Sequence, residues 1–189
     1  MWIDLSVQVP KAMWREIFRN EKMTSLGHLG THFDVMNQDF QLANLRRRGR
    51  VFDVGAVRDR DVEVRDLGGG RIEEGDFVLL RTGFLQEAGY GTERYFRSHP
   101  QLSMQLIGLL LEKRVSLIGI DAAGIRRGAE HTPTDQHCAD HGVFVVENLT
   151  NLDLLLQRSG GGAFEVLTFP IRFEGLSGLP CRVVAELPE

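Results

Sequence analysis

The sequence predicts a mixed α/β fold with a largely β core and flanking helices. Three observations carry this. Short apolar runs that suit buried strands recur along the chain, at 77–81, 115–120 and 143–146. Helical periodicity is confined to a few segments and is clearest at 101–113, where Leu102, Leu106, Leu109 and Leu110 share a face. No repeat or interdomain linker interrupts the 189 residues, and an apolar content of 42% is enough to fill one core, so 1–189 reads as a single domain.

Taken in order, residues 2–9 alternate apolar and polar and predict a strand. Residues 11–20 predict a helix whose apolar face is Met13, Trp14, Ile17 and Phe18. The densest basic run, Arg46-Arg47-Arg48, reads as a solvated turn before a strand at 50–57. A weaker strand at 62–64 leads to the Leu67-Gly68-Gly69-Gly70 turn. The buried strand 77–81 runs into Thr82-Gly83, and Thr92 or Ser98 can cap a helix. After the 101–113 helix, strand 115–120 ends in Asp121. Residues 135–141 have helical character, and strand 143–146 ends in Glu147. A helix at 149–157, capped near Thr150 or Asn151, stops at Gly160-Gly161-Gly162. Strands at 163–169 and 182–186 flank a glycine-rich loop at 174–180.

Composition narrows the function. A net charge of -4 and a pI near 5.9 show no basic footprint, so no nucleic-acid partner is expected. No apolar stretch approaches the roughly 20 residues of a membrane span. The N-terminus carries an early Asp4 and lacks the pattern of a signal peptide. Cys138 and Cys181 are too few for a disulfide framework and lack CxxC spacing, so a reducing cytoplasm is expected, with Cys138 as a small core residue. There is no GxSxG elbow, and Gly68–Gly70 leads to Arg71-Ile72-Glu73 rather than to a phosphate-loop helix.

The chemistry concentrates in two places. His28-Leu29-Gly30-Thr31-His32-Phe33-Asp34 packs three metal-binding side chains into seven residues. About a hundred residues later come His131, Asp135, His137, Asp140, His141 and Glu147. In a straight strand His28 and His32 would stand about 13 Å apart, too far to share one ion. A turned backbone brings positions four apart to about 6 Å. Gly27 and Gly30 permit that turn and Thr31 can anchor it, so a coiled loop is expected, with Asp34 completing a His-His-Asp set. Glu147, at a strand end, is the next ligand candidate, since a buried carboxylate needs a charge partner. Nitrogen and oxygen donors without thiolate favour zinc or manganese.

Read together, these segments resemble the putative-cyclase family of metal-dependent hydrolases, which includes bacterial kynurenine formamidase and isatin hydrolase. His28 to Asp34 matches its HxGTHxD signature, and Gly142 to Leu149 (GVFVVENL) matches the segment carrying a metal-binding Glu. Asp4-Leu5-Ser6 is similar to the family's opening strand, Leu80-Arg81-Thr82-Gly83-Phe84 to its TG strand end, and Gly119-Ile120-Asp121 to its G-x-D strand. Phe169-Pro170-Ile171 and Glu174-Gly175 to Arg182 resemble its C-terminal region. The resemblance implies a swivelling β/β/α fold, a homodimer or homotetramer, and a site of one or two ions hydrolysing a small amide, formamide or cyclic amide with a metal-activated water. It departs at three positions: Gln38 and Asp135 stand where the family has second-site histidines, and Met36 replaces its usual proline.

The expected metal set is therefore His28, His32, Asp34, Gln38, Asp135 and Glu147. Glu147, His137 and His131 are the candidate catalytic residues, because cleaving a C–N bond needs a base and an acid for the leaving nitrogen. Phe33, Phe40, Trp14 and Phe18 are candidates for lining the pocket of a small-molecule substrate. The alternative is a metal- or small-molecule-binding relative that has lost catalysis.

Overall fold

The structure, a computed structural model, describes residues 1–188, and at Trp14 the backbone only. The strands are β1 (Trp2–Asp4), β2 (His32–Asp34), β3 (Arg46–Asp53), β4 (Phe77–Arg81), β5 (Leu117–Ile120), β6 (Phe144–Glu147), β7 (Phe164–Pro170) and β8 (Gly178–Glu186). The α-helices are α1 (Trp14–Ile17), α2 (Glu21–Thr24), α3 (Phe84–Ala88), α4 (Glu93–Ser98), α5 (Met104–Glu112), α6 (His131–Asp140) and α7 (Leu152–Ser159). The sheet order is β1-β8-β2-β6-β5-β4-β3-β7, and β7 pairs back onto β8. Seven strands thus close into a barrel-like ring, with β1 extending the β8 edge beyond β2. Pairings among β3, β4, β5 and β6 are parallel and the rest antiparallel. No helix among the described residues is long and apolar enough to cross a membrane.

Strand alternation separates two cores. Phe33, Phe77, Leu79, Leu117, Phe144, Val146, Val166 and Val183 pack together with Leu152 and Leu155 of α7. Their alternates Val78, Leu80, Ile118, Ile120 and Val145 pack instead with Leu106, Ile107 and Leu110 of α5 and Cys138 of α6. Each of those three fully buried α5 side chains contributes about 2 kcal/mol of apolar burial. Ser103 caps α5 by accepting from the Leu106 N–H. The Thr82-Gly83 and Asp121 signals prove to be one device. Asp121, fully buried, accepts from the Thr82 N–H (2.7 Å), the Thr82 hydroxyl (2.6 Å) and the Gly83 N–H (2.7 Å), tying the end of β4 to the end of β5.

Several expectations change. The first strand stops at Asp4, because the Ser6 N–H turns to Asp4 Oδ1 (3.0 Å) and the Val7 N–H to Thr31 Oγ1 (2.8 Å). The helix expected at 11–20 is one 3-10 turn followed by the short α1. Arg46–Arg48 is no turn but the first part of β3, antiparallel to β7, with Arg46 paired to Glu165 and Arg48 to Glu73 and Asp76. At 62–64 there is one bridge, Val62 to Leu102, before a 3-10 turn. The helix expected at 135–141 starts earlier, at His131.

Candidate metal centre

Two backbone turns aim the first histidines. Gly27 (φ 82°) and Gly30 (φ 62°) both adopt left-handed conformations that only glycine takes freely. The chain bends between them and straightens into β2 at His32, so the stretch is half loop and half strand rather than a coiled loop throughout. His32 and Asp34, two apart on a strand, share a face. The bend returns His28 to that face, where its Nδ1 lies 3.1 Å from His32 Nε2 and 2.9 Å from Asp34 Oδ1. The ring orientations are set from behind. His32 Nδ1 meets the Gly30 carbonyl at 2.9 Å, and His28 Nε2 meets Ser177 Oγ at 2.9 Å. Each ring therefore turns its other nitrogen toward Asp34, the arrangement that orients a metal-binding imidazole. Thr31 is the anchor: its hydroxyl donates to the Asn148 carbonyl (2.7 Å) and accepts from the Val7 N–H.

Register brings in the second group. His32 pairs directly with Glu147 across β2 and β6, which places their side chains on one face. His32 Nε2 is 3.5 Å from Glu147 Oε2. From above, α6 adds His131 and Asp135, one turn apart on the same helix face. His131 Nε2 lies 3.3 Å from Asp135 Oδ2 and 3.4 Å from Glu147 Oε1. Two overlapping donor sets result, His28–His32–Asp34 and Asp34–His131–Asp135–Glu147, each with its donor atoms within 4.8 Å of one another. Asp34 belongs to both.

The electrostatics call for a cation. His28 and His32 crowd Asp34, yet neither Asp34 oxygen receives a directed hydrogen bond. Both Asp135 oxygens and Glu147 Oε1 are likewise buried without a donor. Burial, followed by the Asp34 charge, holds Glu147 and Asp135 well above the usual carboxylate range. Burial, the largest single influence, would raise Asp34, but the adjacent His32 and His28 rings together outweigh it and hold Asp34 well down. Burial disfavours a charged His32 ring, yet Asp34 and Glu147 overcome it and lift the ring to about 9. Buried acceptors without donors are costly, and a divalent ion would satisfy them together. Cys138 adds no thiolate, since burial and the Asp135 charge push its thiol up to about 12. The donors are imidazole and carboxylate, which fits the group the sequence implies.

Two expected residues fall elsewhere. His137 is exposed and meets the His141 ring edge to face, with ring centroids 4.5 Å apart. It follows Asp135 by two residues, about 200° around the helix, and so faces away from the cluster. Gln38 is exposed as well, bonded to Asn37 (3.0 Å) and Asp140 (3.3 Å). The expected pocket aromatics also move. Phe33 is fully buried in the first core with Phe40 against it, Phe18 is 74% exposed, and the Trp14 side chain lies outside the described residues. The cavity beside the cluster, about 310 Å³, is lined instead by Met23, Tyr90, Phe96 and Ala123.

Three residues in the site carried no functional signal in the sequence reading. Asn148 adopts φ 59°, donates from Nδ2 to the Gly30 carbonyl (2.8 Å) and accepts from the Tyr95 hydroxyl (2.8 Å). It thereby locks the Gly30 bend to the end of β6. An Asn directly after a strand-end Glu was a usable hint, since Asn tolerates this conformation. Tyr90 accepts from the Gly30 N–H at 2.9 Å. Lys22 brings its Nζ to 3.1 Å from His131 Nε2, and nothing local distinguishes it from a surface lysine.

Comparison with known proteins agrees with this geometry. No curated protein sequence matches the chain. One solved structure, described as a potential metal-dependent hydrolase with cyclase activity, is 23% identical with a TM-score of 0.74, over 100% of this chain and 99% of that one. A predicted metal-dependent hydrolase from Bacillus stearothermophilus is 22% identical with a TM-score of 0.72, over 98% and 97%. Isatin hydrolase A from Ralstonia solanacearum is 20% identical with a TM-score of 0.73, over 98% and 91%. At such identities these likenesses speak for the fold. The family model described as putative cyclase matches residues 3–126, a span that carries the His28–Asp34 bend, the Thr82-Gly83 strand end and the Asp121 anchor. With that match over most of its length and the same architecture throughout, the chain belongs to the putative cyclase family.

Proposed function

We propose that the protein is a metal-dependent hydrolase of a small amide, formamide or cyclic amide. The observation that carries this reading is the set of buried carboxylate oxygens without donors on Asp34, Asp135 and Glu147, facing three oriented histidines at one end of a cavity. His28, His32 and Asp34 would hold a zinc or manganese ion, with Glu147 beside them. Such an ion, when bound, polarises a carbonyl and activates water. The chain's own groups do the rest. Tyr90, Phe96 and Met23 offer an apolar wall for the substrate body and narrow the access of water. Glu147 would take a proton, and His131, mostly buried over the same carboxylates, lines the same cavity. The hydrolase likeness of the structural neighbours, isatin hydrolase among them, supports this class of reaction.

The test is a screen of formanilides, lactams and cyclic imides against metal-stripped protein, with and without added zinc or manganese. Turnover that appears with the metal and disappears in His32→Ala is the expected result. The competing reading, a binding relative without catalysis, is favoured by one observation: Gln38 points to solvent where the family has a histidine. Calorimetric binding of a screened compound with no product under any metal would establish that reading instead.

A further inference from the structure

The second donor set already faces a cation of the chain's own. His131 Nδ1 lies 3.1 Å from the Arg126 carbonyl and so carries the ring proton, leaving the lone pair on Nε2. Lys22 Nζ sits 3.1 Å from that nitrogen. Asp135 and Glu147 face the same nitrogen at 3.3 and 3.4 Å. The position is built, not incidental. Asn20 caps α2, buried Met23 anchors it, and the Lys22 carbonyl accepts from the His28 N–H at 3.1 Å. Lys22 is thus tied through the backbone to the first ligand while its ammonium reaches the second set. It is the one lysine or arginine lining the cavity among the described residues. The nearby Arg126 is committed to Asp61 and Glu130.

Resting on the metal reading above, we propose that Lys22 is the resident cation of the second position. The site then takes one divalent ion, at His28–His32–Asp34, and the Lys22 ammonium stands where a second ion would bind. Two arguments support this. The ammonium and a second ion need the same His131 lone pair, so they exclude one another. The charge balance points the same way. One divalent ion and one ammonium together match the charge of Asp34, Asp135 and Glu147, whereas a second ion beside Lys22 would leave uncompensated positive charge in a largely buried cluster. The two altered positions fit as well: Gln38 is turned away, and Asp135 supplies a carboxylate suited to an ammonium neighbour.

The experiment is a manganese(II) titration, repeated with zinc(II), of metal-stripped wild type, Lys22→Met and Lys22→Arg, read by calorimetry and by elemental analysis after dialysis. Electron paramagnetic resonance is recorded at saturation. Lys22 is an exposed residue, so both variants should keep the wild-type melting profile. Expected are one equivalent for wild type and for Lys22→Arg. Lys22→Met should take two equivalents, with the exchange-coupled signal of adjacent ions. Two equivalents in wild type, or one in Lys22→Met, would overturn the proposal. Absence of manganese and zinc uptake by all three proteins would instead remove the metal reading on which it rests.

Discussion

His99 is 1% exposed, and its Nδ1 faces the Pro100 carbonyl at 3.1 Å. Burial comes first among the causes that hold its ring at about 4, and the charges of His131 and Arg127 add to it. An unfolded histidine titrates near 6.5. Between those values the unfolded chain binds the proton and the folded chain does not, so stability rises with pH through this window. The contribution is complete above about pH 6.5 and falls by about 3 kcal/mol as pH drops through 4. Urea unfolding of wild type and His99→Gln at pH 7 and pH 4.5 should show the larger acid loss in wild type. Equal losses would remove His99 as the cause. At this scale the sequence was informative where side-chain chemistry is rare, as at His28, His32, Asp34 and Glu147. It was silent where the chemistry is common: Lys22 and His99 look like any surface lysine and histidine until the fold assigns their neighbours.

The element that decides the site is the β2 entrance, held against β8. A β-carbon on Gly27 would meet the Gly178 carbonyl oxygen at 2.0 Å, a backbone atom that cannot give way. Gly27→Ala adds this clash to a left-handed strain, for a loss of more than about 3 kcal/mol. Gly68→Ala, at φ 61° with nothing within 4 Å, carries the strain alone and should cost about 1 kcal/mol. Urea midpoints separate the two, and Gly27→Ala should also lose bound metal. A Gly27→Ala protein with wild-type stability and metal content would refute this account of the bend. Elements with a strong local signal were legible: 77–81 matches β4, and 101–113 contains α5. Those set by long-range partners were not. Arg46–Arg48 became strand because β7 lies beside it, and the first strand ended at Asp4 because Asp4 and Thr31 captured the Ser6 and Val7 N–H groups.

At the scale of the molecule, we propose a closed homodimer or homotetramer. Within the described chain, Ile17 is buried and Met13 lies against Gly91, so that part of the expected N-terminal face is internal. Phe18 remains 74% exposed, and Phe169, Ile171 and Phe173 expose about half of their surface beside one another in sequence, at 53%, 54% and 48%. Adjacent exposed apolar groups of this size suit a subunit contact. Light scattering of wild type at micromolar concentration should give a dimer or tetramer, and Ile171→Asp should shift it toward monomer. A monomeric wild type would end the idea.

The sequence by itself determined the strand-rich α/β class, the His28–Asp34 bend and the candidate carboxylate at Glu147, because each rests on a local pattern: apolar runs, glycines beside histidines, a carboxylate at a strand end. The tertiary structure alone decided which later groups join them. The earlier start of α6 put His131 on the helix face of Asp135, and packing turned that face inward and His137 outward, a choice that no short window records. The antiparallel register of β2 on β6 set Glu147 opposite His32. The tether from Lys22 to His28 delivered an ammonium across 109 residues of sequence to His131. Such pairings depend on long-range packing, and only the closed ring of strands brings the partners into contact.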